Sequence, residues 1–178
     1  RVEPRPVTVD EQTQVRAWFT PEYGDALSHR VAKFLGRARS RIRIASPVLT
    51  SGPILGTLVE VVNERRCDVA GVIDETQVDE VFHQWATNGV SAWKIPLLRT
   101  ILTGAAFSGK PSTRWTPRSL HDFMHAKVVV ANDVAFLRAG QTNLLPVEIA
   151  MLQPIIPTCH RVIHLQCSHG LDALSLWQ

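Results

Sequence analysis

Residues 41–62, RIRIASPVLTSGPILGTLVEVV, and 67–82, CDVAGVIDETQVDEVF, decide the fold. Arg41 to Ala45 alternates polar and apolar with period two, the pattern of a strand that lays one face on a core. Ser51-Gly52-Pro53 opens a helix, because proline in the first turn gives up only an N–H that has no intrahelical partner there. That helix carries Ile54, Leu55, Leu58, Val61 and Val62 on its apolar side. Cys67 to Asp74 is a short, mostly apolar run, as expected of a buried strand in a parallel sheet. Thr76 is placed to cap the next helix, whose inner face reads Val78, Val81, Phe82 and Trp85. Strand, helix, strand, helix in this rhythm predicts an α/β layer sandwich.

Upstream, Leu27, Val31, Phe34, Leu35 and Ala38 follow helical spacing from Asp25, with Arg30, Lys33, Arg37 and Arg39 on the wet side. The opening Arg-Val-Glu-Pro-Arg-Pro excludes helix locally, so residues 1–17 read as an extended linker. Downstream, residues 100–118 are rich in Gly, Ser, Thr and Pro and carry Lys110, Arg114 and Arg118; they read as one long loop. Residues 139–178 hold only three charged side chains, Glu148, Arg161 and Asp172. The domain is therefore set at 18–143 and an atypical C-terminal tail at 144–178.

Composition narrows the class. The chain has 178 residues, 45% hydrophobic and 20% charged, which suits one globular domain and excludes a disordered tail or a collagen-like repeat. No apolar run approaches the ~18–20 residues of a bilayer-spanning helix. The formal charge of +3 suits an anionic substrate but is far short of a nucleic-acid footprint. Cys67, Cys159 and Cys167 are an odd number and read as free thiols in a reducing compartment. The expectation is a soluble chain, cytoplasmic or peripheral to a membrane. Because it begins with Arg1, it is also expected to be a processed or excised piece.

Residues 121–143 carry the chemistry. Met124 through Ala131 is strand-like, so His125, Lys127 and Val129 share one face while Met124, Ala126, Val128 and Val130 share the other. Two rises of ~3.3 Å set the imidazole and the ammonium about 6–7 Å apart. Asn132-Asp133 supplies a turn into a second strand, Val134 to Leu137. An imidazole is nucleophilic near neutral pH and can split a displacement at phosphorus into two easier steps. An ammonium beside it holds the non-bridging oxygens, so no metal is required. A bare His-x-Lys arises by chance in about one chain of this size in five to ten. The pair matters here because an apolar strand, an Asn-Asp turn, a second strand and Gly140-Gln141-Thr142-Asn143 follow it.

That string resembles the signature of the phospholipase D superfamily, His-x-Lys, four residues, Asp, six residues, then Gly-Ser-x-Asn. SRIRIASPVLTSGPILGTL (40–58), GVIDETQVDEV (71–81) and HDFMHAKVVV (121–130) are similar to stretches of bacterial phospholipase D-like proteins, so the resemblance covers roughly 18–137. It implies a mixed sheet flanked by helices, and a phosphodiesterase with His125 as nucleophile or general acid and Lys127 as phosphate clamp. It further implies Asp133 as a catalytic residue and Gly140 and Asn143 as substrate-binding residues. The family's Asp falls at position 132, where this chain has Asn132; Asp133 stands one place later, and Gln141 replaces Ser.

Only one His-x-Lys occurs among the seven histidines. An in-line displacement needs a base or nucleophile on one side and an acid on the other. The expected partner is a second His-x-Lys half, either upstream in a longer chain or in the other protomer of a homodimer. The substrate is expected to be a phospholipid or another phosphodiester. The face of Arg30, Lys33, Arg37 and Arg39 could lean on anionic headgroups or, less readily, on nucleic acid, but such a face is usually just solvated. The alternatives are a nuclease of the same superfamily and a catalytically degenerate binding domain.

Other residues are weighed more blandly. His121 and Asp122 either form a second shell that orients the His125 imidazole or lie in solvent at a loop end. Cys159, His160, His164, Cys167 and His169 lack the tight Cys-x2-Cys of a zinc knuckle, and scattered core and surface positions suit them better. Gly52-Pro53-Ile54-Leu55-Gly56 lacks the Gly-Lys-Ser/Thr ending of a phosphate loop and reads as a strand-to-helix turn. Asp74, Glu75 and Glu80 read as acids favoured at a helix N-terminus. Trp85, Trp93 and Trp115 read as core or lid.

Overall fold

The computed structural model describes residues 3–8, 14–15, 18–19, 22–113, 116–118, 122–132, 134–138 and 161–165, with backbone only for 14–15, 134–138 and 161–165. In chain order the elements are β1 (Val7–Thr8), β2 (Gln14–Val15), α1 (Gly24–Leu35), β3 (Arg41–Ser46), α2 (Gly52–Asn63), β4 (Asp68–Asp74) and α3 (Glu75–Asn88). They continue with α4 (Lys94–Gly104), β5 (Ala106–Lys110), β6 (Val128–Ala131), β7 (Val134–Arg138) and β8 (Arg161–Leu165). Six strands form one mixed sheet in the order β5-β4-β3-β6-β7-β8, and β1 and β2 form a separate two-stranded ribbon. The α/β expectation holds.

β3, β4 and β5 run parallel, with Ile42 beside Val69 and Ala70 beside Ala106. Both crossovers step in the same direction across the sheet, and connections of one hand then place α2 and α4 on one face. The two helices indeed lie side by side and point the same way. Trp93, just before α4, packs on Gly52 at the start of α2, and Gly104 at the end of α4 meets Val62 near the end of α2. α1 packs on α2. Beneath these helices sit Ile42, Ile44, Val69, Ile73, Leu35, Leu55, Leu58, Val61, Leu98 and Ile101, all buried. Each fully buried aliphatic side chain contributes about 1.5–3 kcal/mol by leaving water.

β6 runs antiparallel to β3, with Ile44 opposite Val129 and Ala45 opposite Val128. Residues opposite one another share a face, so Val129 belongs to the helix-covered side with Ile44 and Val128 to the other side with Ala45. β6 turns through Asn132 into β7, and Ala131 pairs with Val134. Asn132 takes a left-handed φ of 53°, which asparagine tolerates at such a turn. Among the described residues no helix is long and apolar enough to cross a membrane.

Four expectations need correction. The stretch 100–118 is not one loop. α4 reaches Gly104 because Ile95, Leu98, Ile101 and Leu102 give it an apolar stripe, and Ala106–Lys110 is an edge strand. The cap of α3 is Asp74, whose side chain accepts from the Gln77 N–H, because β4 runs directly into α3 with no intervening loop. The strand that begins after Phe123 is regular only from Val128. The ladder stops where its partner β3 meets Pro47, which has no N–H to donate. Finally, the stretch 1–17 is not all unpaired chain, since just past the proline-rich opening Val7–Thr8 pairs with Gln14–Val15.

Candidate active site

The carboxyl ends of parallel strands are where open α/β sheets place ligands, and several segments converge there. The chain leaving β3 passes through Thr50 and Ser51 into the start of α2. Lys94, at the start of α4, donates its Nζ to the Thr50 carbonyl at 3.0 Å and lies 5.5 Å and 5.6 Å from the ring centres of Trp85 and Trp93. β4 ends at Asp74, whose N–H donates to the Pro47 carbonyl at 3.1 Å. β5 ends at Lys110. Because β6 runs antiparallel to β3, the chain entering it, 122–127, arrives at this same end.

His125 and Lys127 stand on that arriving segment. Burial alternates along it: Met124, Ala126, Val128 and Val130 are buried, while His125, Lys127 and Val129 are half-buried. The burial alternation thus runs on through 124–127, ahead of the ladder that begins at Val128. Lys127 folds back so that its Nζ donates to the His125 carbonyl at 2.6 Å, which keeps the ammonium beside the imidazole's own backbone. The Phe123 ring meets the imidazole edge-on, with centres 5.2 Å apart, and limits its rotation. A half-buried imidazole and an ammonium on one face can attack an electrophile and hold the negative charge that develops on it.

The feature that sequence reasoning missed is Asp74. It is the one wholly buried charged side chain among the described residues. Its Oδ1 accepts from the Gln77 N–H at 3.0 Å; its Oδ2 accepts from the Ser112 hydroxyl at 2.6 Å and from the Met124 N–H at 3.0 Å. Burial pushes its carboxyl upward, but these hydrogen bonds outweigh burial and hold it below the ordinary aspartate value. In the sequence it reads only as an acid favoured at a helix N-terminus, which points to none of these three partners.

Asp122 is exposed. Its carboxylate meets Lys110 at 3.0 Å, its N–H donates to the Thr113 hydroxyl at 2.9 Å, and its carbonyl accepts from the Thr113 N–H at 2.8 Å. It thus ties the end of β5 to the His125 segment. His121, Asp133, Gly140 and Asn143 lie outside the described residues, as do Trp115 and the tail positions Cys159, His160, Cys167 and His169; of His164, in β8, only the backbone is described. Asn132 does structural work. Its Oδ1 accepts from the Arg39 N–H and the Ser40 N–H at 3.0 Å and from the Ser40 hydroxyl at 2.9 Å. Of the tryptophans, Trp85 is buried and Trp93 is exposed. Arg30, on the basic face, pairs with Glu3 at 2.7 Å and lies 5.7 Å from the Trp18 ring centre. Cys67 is a free thiol whose protonated form is favoured by burial and then by neighbouring Asp68.

No protein-family model matches the chain, and no curated protein matches it. Among solved structures it is similar to the crystal structure of a phospholipase D family member, Nuc from Salmonella typhimurium, with a TM-score of 0.40 and 21% identity. The match covers 65% of this chain and 62% of that one, so the chain spans less than two thirds of that protein's length.

Proposed function

We propose that this chain is one half, or one protomer, of a metal-independent phosphodiesterase of phospholipase D type. The observation that supports it best is the placement of His125 and Lys127, half-buried on one side of one segment at the carboxyl end of the parallel strands. In this reading an imidazole nitrogen of His125 attacks phosphorus and the bond to the leaving alcohol breaks, giving a phosphohistidine. The leaving oxygen takes a proton from the histidine of a second His-x-Lys half, supplied by a longer chain or a homodimer. Water, or an acceptor alcohol, then attacks phosphorus, gives its proton back to the partner histidine, and breaks the P–N bond to regenerate His125. Lys127 holds the non-bridging oxygens throughout. Asp133 joins the catalytic set, and Gly140 and Asn143 line the substrate. The substrate is a phospholipid or another phosphodiester. Vesicle binding points to lipid; duplex affinity that falls with salt, without vesicle binding, points to a nuclease.

The second reading is a degenerate half that only binds. It is favoured by Asn132, which stands at the family's Asp position and whose side-chain oxygen is taken by Arg39 and Ser40. Hydrolysis of bis(p-nitrophenyl) phosphate, measured on the wild type and on His125→Ala, separates the two. The catalytic reading expects turnover that the substitution abolishes. Equal rates in the two proteins, or no turnover once a partner half is restored, overturns it in favour of the binding domain.

A further inference from the structure

We propose that Asp74 is the positioning residue of the candidate site: a buried carboxylate that fixes the backbone of the His125–Lys127 segment from behind. The inference rests on the catalytic reading only for its effect on turnover; the positioning itself is a property of this fold.

An N-cap needs one acceptor oxygen, and exposed Ser, Thr, Asn or Asp side chains supply it. Asp74 does more than that. One oxygen caps α3 through Gln77, while the other gathers donors from two distant segments, Ser112 after β5 and Met124 beside His125. A charged group with no exposure persists only when its hydrogen bonds are filled, and here three donors fill them. The beneficiary is a stretch with no ladder of its own. Between Asp122 and Lys127 no residue belongs to a strand; the Asp122 carbonyl takes the Thr113 N–H, and side chains add the rest, the Thr113 hydroxyl taking the Asp122 N–H and Asp74 the Met124 N–H. His125 is thereby bracketed, with the preceding N–H on Asp74 and its own carbonyl under Lys127.

The isosteric variant Asp74→Asn cannot reproduce this arrangement. Whichever way its amide turns, an NH₂ faces either the Gln77 N–H or the Met124 N–H, so one donor loses its acceptor. The test is NMR on the whole chain. In the wild type, the Met124 amide resonance should follow the ionisation of Asp74 on acidification, together with that of Gln77. In Asp74→Ala, which removes both acceptor oxygens, Met124 amide exchange should accelerate about tenfold or more, as loss of a hydrogen bond to a charged group implies. The His125 ring resonances should move with it. Leu58→Ala, a core truncation away from the site, serves as the control for general destabilisation and should leave the His125 ring signals in place.

Where turnover is measurable, Asp74→Asn should lower kcat more than it raises KM. The proposal is overturned if the wild-type Met124 amide ignores the titration that moves Gln77. It is equally overturned if the His125 ring responds to Leu58→Ala as much as to Asp74→Ala. Neither outcome depends on catalysis. A chain in which His125→Ala leaves turnover unchanged while Met124 still tracks Asp74 loses the catalytic reading and keeps the positioning one.

Discussion

The side-chain oxygen of Asn132 accepts the Ser40 hydroxyl at 2.9 Å, joining the β6–β7 turn to the bend that enters β3. The same oxygen takes the N–H groups of Arg39 and Ser40, and the Asn132 carbonyl accepts from Arg41 Nε at 3.0 Å. One asparagine therefore anchors two neighbouring strands at their ends.

Asn132→Ala removes three accepted hydrogen bonds and puts a Cβ-bearing residue without local bonding at φ 53°. The expected loss is about 2–3 kcal/mol in urea unfolding. Asn132→Gly should recover about 1 kcal/mol of that by relieving the backbone. Asn132→Asp keeps the acceptor and should stay close to wild type, with no gain in phosphodiester hydrolysis.

Two glycines should respond in opposite directions. A Cβ on Gly71 would lie 2.6 Å from the Ile44 carbonyl oxygen, and that backbone cannot yield within the β3–β4 ladder. Gly71→Ala should cost about 2–3 kcal/mol. Gly56, inside α2, has nothing within 4 Å of the same position, so Gly56→Ala should stabilise by about 0.5–1 kcal/mol. Thermal unfolding of the two variants tests both signs.

Stability should depend on pH through Asp74. Its folded value lies below the ordinary 3.8, so the folded state favours the charged form. That contribution is fully present above the unfolded value and is lost as pH falls through the lowered folded value. Acid titration of stability below about pH 5 should show the loss in the wild type. Asp74→Asn should be less stable at neutral pH and flatter over that range.

At the candidate site, His125→Ala should reduce bis(p-nitrophenyl) phosphate turnover by about 10²–10⁴-fold, the ordinary weight of an imidazole in proton or phosphoryl transfer. Lys127→Ala should cost about 10²–10³-fold, as loss of one charge-stabilising donor does. Thermal midpoints near wild type for both would tie the losses to chemistry.

Much of this architecture was legible because it is periodic. The alternation of Arg41–Ala45, the Ser51-Gly52-Pro53 start and the apolar run into Asp74 each report a burial pattern that local sequence must satisfy. The edge strand β5 was not legible, since Phe107 and Lys110 are half-buried among exposed neighbours and leave no alternation to detect. Thr76 is a residue type that caps helices, but in the fold its hydroxyl instead accepts the Ser112 N–H at 3.0 Å. The site was half legible. His125 and Lys127 sit two apart in sequence, so their shared face could be read directly. The role of Asp74 depends on Ser112 and Met124, 38 and 50 residues away, and no local pattern encodes that meeting.

The pairing of β3 with β6 closes a loop whose ends, Arg41 and Asn132, are 91 residues apart. During synthesis β5, β4 and β3 can come together while β6 is still inside the ribosome, leaving one flank of β3 open until Val128–Ala131 emerges. Such distant contacts form slowly, so the nascent protein depends most on chaperones in that interval. A stop or pause placed just before Val128 should yield a species prone to aggregate rather than a smaller folded one.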